Sequence, residues 1–172
     1  MTNRHTIRLQ GYDYSSEGLY FVTICCQDRT CLLSSIVGVG FYPTRNNKPF
    51  HHPMIDLSVM GQIVYQEWTG LPGRFPHVIF HEFVIMPNHM HGIIEIGQRA
   101  GQSPAPTLGN IIGAFKSITT KKCNVLNDTP GQRLWQRNYY EHIIRNGESY
   151  ENISNYIYEN PVNWMNDDYY TE

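Results

Sequence analysis

The pattern of apolar and polar residues divides the chain into strands, helices and connecting segments. Runs rich in β-branched and aromatic residues predict four β-strands, at Leu19–Cys26, Val78–Met86, His89–Ile96 and Leu134–Ile144. Apolar residues at helical spacing predict three helices: Val59 to about Trp68 after the cap Ser58, one beginning at Thr107, and Glu148–Asn160 ended by Pro161. Cys31–Pro53 is rich in Gly, Pro and Asn and predicts a short strand followed by a loop, and Gly97–Pro106 predicts a linker.

The order of these elements predicts the fold class. Strand, helix, strand, strand, helix, strand is the order of an α+β, ferredoxin-like (split βαβ) antiparallel sheet with two packing helices and one appended C-terminal helix. A length of 172 residues is typical of one domain, which we expect to span 1–172. Because this architecture hosts many functions, the chemistry must be inferred from side chains.

Composition and charge narrow the classes of partner. The net charge is −2 and the sequence pI is about 6.4, so any nucleic-acid contact requires a local basic patch. The four cysteines show no CxxC spacing, which argues against a zinc ribbon. The polar N-terminal stretch and the lack of an apolar run of about 18 residues predict a soluble, cytoplasmic protein without a membrane partner.

Two histidines follow the predicted turn at Pro87-Asn88. His89 and His91 are two residues apart on a strand, so both imidazoles point to the same face. Such a pair provides half of a divalent-metal site. Alone this is a weak signal, because surface or turn histidines show the same spacing.

The last predicted helix carries a candidate nucleophile. Tyr156 and Asn160 are four residues apart and therefore share a helix face, whereas Tyr158 lies on another side. A tyrosine hydroxyl can attack a phosphodiester and leave a covalent phosphotyrosine, and an asparagine carbonyl oxygen can bind a metal ion. A packing role for Tyr156 is the alternative.

Three blocks of sequence, MPNHMHGIIEI, LWQRNYYEHIIRN and YIYENP, together resemble the HUH-type single-tyrosine transposases, with the REP-associated tyrosine transposases as the nearest branch. The resemblance implies that His89, His91 and Asn160 bind Mg²⁺ or Mn²⁺ and that Tyr156 is the catalytic nucleophile. It also implies cleavage of single-stranded DNA beside hairpin repeats through a 5′-phosphotyrosine intermediate. A homodimer is possible, because the tyrosine helix serves a neighbouring subunit in parts of the family and its own chain in others.

DNA contacts are predicted for four basic residues, Lys116, Lys121, Lys122 and Arg137. A solvated helix face explains the three lysines equally well. Two other functions compete with the transposase: a ferredoxin-like nucleic-acid-binding module without catalysis, and a metallohydrolase that uses the histidine pair without a covalent step. A Tyr156→Phe substitution distinguishes the metallohydrolase from the transposase, because a hydrolase would remain active.

Overall fold

A computed structural model describes residues 17–43, 49–97 and 106–171. The elements are β1 (Gly18–Cys25), β2 (Ser34–Pro43), β3 (Pro49–Leu57), α1 (Val59–Gly70), β4 (Val78–Ile85), β5 (His89–Ile96), α2 (Leu108–Asn127), β6 (Tyr140–Ile144) and α3 (Gly147–Glu159). Most of the predicted linker Gly97–Pro106 lies outside the described residues, and one domain over 1–172 stays a prediction.

Four strands form the main sheet, in the order β4-β5-β1-β6. Each neighbouring pair is antiparallel, with β1 between β5 and β6. This order, with helices following β1 and β5 in the chain, confirms the predicted ferredoxin-like α+β fold. Among the described residues, no helix is both long enough and apolar enough to span a bilayer.

The two faces of the sheet have separate cores, because successive strand residues point to opposite sides. Tyr20 and Met90 belong to the cluster that α1 and α2 cover, with Trp68 and Phe115 as its large aromatic members. Phe21, Ile93 and Ile144 belong to the second cluster, together with residues of α3 and of the segment that follows it. The second face is therefore the one that α3 occupies.

Ser58 caps α1 as predicted, and Thr107, where the next helix was predicted to begin, caps α2. The Ser58 side chain accepts a hydrogen bond from Gly61 N at 3.0 Å, and Thr107 accepts one from Asn110 N at 3.2 Å. Asn146 caps α3 in the same way, accepting from Ser149 N at 2.8 Å. A side-chain oxygen at this position satisfies a backbone N–H that has no partner within the helix, which fixes where each helix begins.

The prediction for Cys31–Pro53 is confirmed for its strand and wrong for the loop, because a second strand begins at Pro49. This segment forms most of a second, two-stranded antiparallel sheet of β2 and β3. Its Gly and Pro residues do not prevent pairing, because a two-stranded ribbon has free edges and tolerates bulges. Gly38, with a φ of 56°, lies at such a bulge between Val37 and Val39.

The predicted strand Leu134–Ile144 is too long. Only Tyr140–Ile144 pairs with β1, while Trp135 makes an isolated bridge to Cys26. The Lys116 ammonium donates to the carbonyls of Gln136, Arg137 and Asn138 at 2.5, 3.1 and 3.3 Å, so these groups are satisfied outside a sheet ladder. The Trp135 side chain is buried, and its indole N–H donates to Thr119 Oγ1 at 2.8 Å.

Candidate active site

The two histidines converge at one end of the main sheet. The β1–β5 register places Thr23 opposite His91 and Cys25 opposite His89. Both imidazoles point to the face that α3 covers, and their Nε2 atoms lie 3.0 Å apart. The tight turn before β5 therefore delivers the predicted pair to a single point.

Each imidazole is held through its other nitrogen. His89 Nδ1 is 2.9 Å from Asn88 Oδ1, and His91 Nδ1 is 2.8 Å from Thr23 Oγ1. Asn88 Nδ2 donates to the carbonyls of Arg29 and Tyr169, which fixes the amide with its oxygen toward His89. His89 Nδ1 therefore carries the proton, and its Nε2 lone pair faces His91. Such partners orient metal-binding histidines.

Both histidines are buried. His89 is 0% and His91 1% exposed, because Trp164 and Tyr169 place their rings 5.9 and 4.7 Å from the His89 ring. Burial lowers the pKa of His89 to about 4, and burial together with the nearby His89 lowers the pKa of His91 well below its usual value. Both imidazoles are therefore neutral near pH 7, which is the form that binds metal ions.

Tyr156 reaches the pair from α3. Its hydroxyl lies 3.3 Å from His91 Nε2, and the two ring centroids are 5.2 Å apart. The side chain is 44% exposed, so one side of the phenol is open to a substrate. Burial of the remainder raises its pKa to about 12. Tyr158 lines a different groove, beside Glu82 of β4.

Asn160 and Asp167 complete the polar group around the histidines. Asn160 is 2% exposed and its Nδ2 donates to Asp167 Oδ2 at 2.8 Å. Its Oδ1 is buried and has no hydrogen-bond partner among the described residues. One Asp167 carboxylate oxygen and one nitrogen of each histidine all lie within 4.8 Å of one another. Asp167 was not predicted as a site residue, because it lies in a short segment without helix or strand periodicity.

Two of the basic residues bind other protein groups, whereas two line an open groove. Lys116 is half-buried against the carbonyls described above, and burial lowers its pKa to about 8. Lys122 forms an ion pair with the buried Glu67. Lys121 and Arg137, by contrast, line a groove of about 900 Å³ between α2 and residues 128–137, together with Arg133. The structure thus leaves two of the four predicted DNA-contact residues with charges that are free of such pairings in the described contacts.

Comparison with known proteins identifies the family. Residues 76–160, which carry the histidines, Tyr156 and Asn160, match the family model of IS200-like transposases. An uncharacterised protein of Haemophilus influenzae is 39% identical, covering 99% of this chain and 94% of its own length. A second protein of that organism, provisionally described as a REP-associated tyrosine transposase, is 24% identical over 87% of this chain and 73% of its own length.

A solved structure supports the fold. The structure of a REP-associated tyrosine transposase bound to a REP hairpin superposes with a TM-score of 0.60 at 20% identity, covering 90% of this chain and 73% of that one. Residues 76–160 thus carry an IS200-like transposase domain, which confirms the resemblance to single-tyrosine transposases. Family and fold support an enzyme with a transposase-like function on DNA.

Proposed function

We propose that this protein is a metal-dependent DNA endonuclease and strand transferase of the HUH type. It cleaves single-stranded DNA beside hairpin repeats, and Tyr156 becomes joined to the 5′ phosphate. The observation that carries the proposal is the 3.3 Å between the Tyr156 hydroxyl and Nε2 of the buried His91. A packing tyrosine has no need of that position, whereas a nucleophile requires a group nearby that holds the phosphate in line.

The residues present fit a divalent cation. Ligands at right angles on Mg²⁺, bound at about 2.0–2.1 Å, lie about 3 Å from each other, and the two Nε2 atoms are 3.0 Å apart. Asn160 Oδ1 is buried and unpartnered within the described residues, and the Asp167 carboxylate lies close by. His89, His91, Asn160 and Asp167 would hold the ion. Nitrogen ligands suit Mn²⁺ better than Mg²⁺, and the family uses either.

When bound, the cation polarises a phosphoryl oxygen and neutralises charge that develops during attack. Protein side chains position the reacting groups. Asn88 and Thr23 hold the imidazoles in place, and α3 presents the Tyr156 hydroxyl to the same point. Because burial raises the pKa of Tyr156 to about 12, the phenol is protonated near pH 7 and loses its proton as it attacks.

The covalent step conserves protons and bond energy. Tyr156 Oη forms a bond to phosphorus while the bond from phosphorus to the 3′ oxygen breaks. The phenol releases one proton and the leaving oxygen takes one up, so the products are a 5′-phosphotyrosine and a free 3′ hydroxyl. A later attack by a 3′ hydroxyl reverses these bond changes and joins strands. The 5′ polarity follows from the resemblance to the family.

The DNA path that the charges favour is the groove between α2 and residues 128–137. Lys121, Arg133 and Arg137 line it and form a local basic patch on a chain whose net charge is slightly negative. We expect Lys116 and Lys122 to contribute less, because their ammonium groups bind carbonyls and Glu67. Because the proposed substrate is DNA, we expect the protein to act in the cytoplasm. A homodimer is not needed to bring Tyr156 to the histidines, because one chain already does so.

A denaturing gel tests the proposal. Protein, Mn²⁺ or Mg²⁺ and a labelled hairpin oligonucleotide with a single-stranded flank should give a covalent protein–DNA band. Tyr156→Phe should abolish the band while DNA binding persists, because the ring still packs against Phe21 and His91. His89→Ala and chelation should abolish it through loss of the metal.

Tyr158→Phe is the matched control and should react like the wild type, because Tyr158 lies on another side of α3. A band that persists in Tyr156→Phe would show that another residue is the nucleophile. DNA binding without any band in the wild type would favour the non-catalytic binding module. If the DNA is cleaved without a covalent band, and cleavage persists in Tyr156→Phe, the metallohydrolase is favoured.

A further inference from the structure

Strand β4 contains a bulge where it faces α3. Phe80 pairs with Ile94 and Phe83 pairs with Gly92, so three steps along β4 match two along β5. His81 and Glu82 are the two residues within this shift. A bulge re-aims side chains that a regular strand would send to opposite faces. Here it lets two consecutive residues reach the same helix.

Both residues contact the hydroxyl of Tyr150 on α3. Tyr150 Oη donates to Glu82 Oε2 at 2.9 Å and lies 3.2 Å from His81 Nδ1. The other nitrogen of His81 is 2.9 Å from Glu95 Oε2 on β5, and Ser154 Oγ donates to Glu82 Oε2 at 3.4 Å. A chain of polar contacts therefore runs from two strands into the first half of α3.

Few apolar side chains hold α3 against the sheet: Ile153 and Tyr150 are only partly buried there. Ile157 is the one buried residue of this helix, all of which the structure describes. Outer side-chain atoms lie about 5–6 Å from a helix axis, so a rotation of about 10° moves them by roughly 1 Å. A displacement of about 1 Å can slow a reaction roughly a hundredfold. The contacts that fix the rotation of α3 therefore bear directly on Tyr156, six residues after Tyr150.

We propose that Tyr150, held by Glu82 and His81 at the bulge of β4, is a positioning residue that sets the reach of Tyr156 to His91. The inference rests on the proposed function, because it assigns Tyr150 a role in that reaction. Tyr150 binds groups of β4, not the reacting atoms, so it acts through the helix. Burial acts to raise the pKa of Glu82, but hydrogen bonds from the backbone and Tyr150 outweigh it, and the lowered pKa keeps an ionised acceptor near pH 7.

The test combines kinetics with structure. In single-turnover adduct formation with Mn²⁺ and saturating hairpin oligonucleotide, Tyr150→Phe should lower the rate constant tenfold to a hundredfold. The fraction of protein that reacts and the Kd for DNA should change less than twofold. A structural role alone would lower the melting temperature and the reacting fraction, while the molecules that remain folded would react at the wild-type rate.

Three further variants extend the comparison. Glu82→Gln keeps an acceptor oxygen and should retain more of the rate than Glu82→Leu, which keeps none. Tyr158→Phe, the control on the same helix, should leave the rate constant unchanged. A rate constant for Tyr150→Phe within twofold of wild type would overturn the inference.

Crystal structures of the wild type and Tyr150→Phe provide a readout that needs no activity. The separation of Tyr156 Oη and His91 Nε2, 3.3 Å here, should grow by about 1 Å or more in the variant. An unchanged separation overturns the inference whatever the kinetics show. A wild-type protein that forms no adduct would refute the proposed function, and the measured separation would still decide whether Tyr150 positions α3.

Discussion

Gly92 packs where no larger residue fits, between the candidate site and the core under α1. A Cβ at this position would lie 2.6 Å from Cζ2 and 3.2 Å from Cη2 of Trp68. Carbon atoms in good contact are about 3.5–4.0 Å apart. Trp68 is fully buried with Phe80 and Phe115 edge-on to it at 5.2 Å, so the indole has little room to move.

Gly92→Ala should therefore destabilise the protein. Overpacking of this kind costs about 1–3 kcal/mol, and removing a strand glycine returns roughly 0.5–1 kcal/mol. At the middle of both ranges the net loss is about 1 kcal/mol, which corresponds to a fall in melting temperature of roughly 2–4 °C for a protein of this size. Thermal and urea unfolding of metal-free protein measure both quantities.

The same substitution elsewhere gives the control. Gly113 is exposed on α2 and a Cβ there would meet nothing within 4 Å, so Gly113→Ala should stabilise by up to about 1 kcal/mol. In a Trp68→Phe background, which removes the clashing carbons, Gly92→Ala should cost much less, and a double-mutant cycle measures the difference. If Gly92→Ala costs the same in both backgrounds, or stabilises the wild type, the close approach of Gly92 and Trp68 is not the cause.

Two further predictions concern charges. Lys122→Ala should lower stability by about 1 kcal/mol but change DNA affinity little, because the buried Glu67 loses one of its two cationic partners. Lys121→Ala should lower DNA affinity but change stability little. Urea unfolding measures the stability, and a salt-dependent binding titration measures the affinity. For metal-free protein, the free energy of unfolding should fall by up to about 3 kcal/mol as the pH drops from about 6.5 to 4, because His89 has a folded-state pKa of about 4 and the unfolded state binds more protons in that range. His89→Gln should flatten this dependence, and an unchanged profile would tell against His89 as its source.

The parts of the fold that the sequence predicts well are those with a repeating local pattern. The hairpin of β4 and β5 follows from apolar runs on either side of Pro87-Asn88, and α2 follows from its helical spacing and the cap Thr107. The second strand of the β2–β3 ribbon was not predicted, because glycine and proline are typical of loops, whereas a free-edged ribbon still pairs at them.

In the candidate site, too, the residues that could be predicted are those related by a local repeat. His89 with His91, and Tyr156 with Asn160, are close in sequence, so strand and helix periods place them on common faces. Asp167 and the rings of Trp164 and Tyr169 reach the histidines from the C-terminal segment, after α3 has ended. No periodicity relates them to residue 89, so neither the added carboxylate nor the burial of the histidines could be predicted.

Tyr156 and His91 come from one polypeptide, and that has a consequence for the stoichiometry of strand exchange. Under the proposed mechanism their encounter is intramolecular, so the turnover of each molecule should not depend on how many others are present. If Tyr156 is the nucleophile, as proposed, each molecule can hold one severed DNA end at a time. The phosphotyrosine bond can then be attacked by the 3′ hydroxyl just produced, which restores the original strand. A 3′ hydroxyl of another strand can attack it instead. The competition between those two strands, and not the pairing of two proteins, would then determine whether DNA is rearranged or merely resealed.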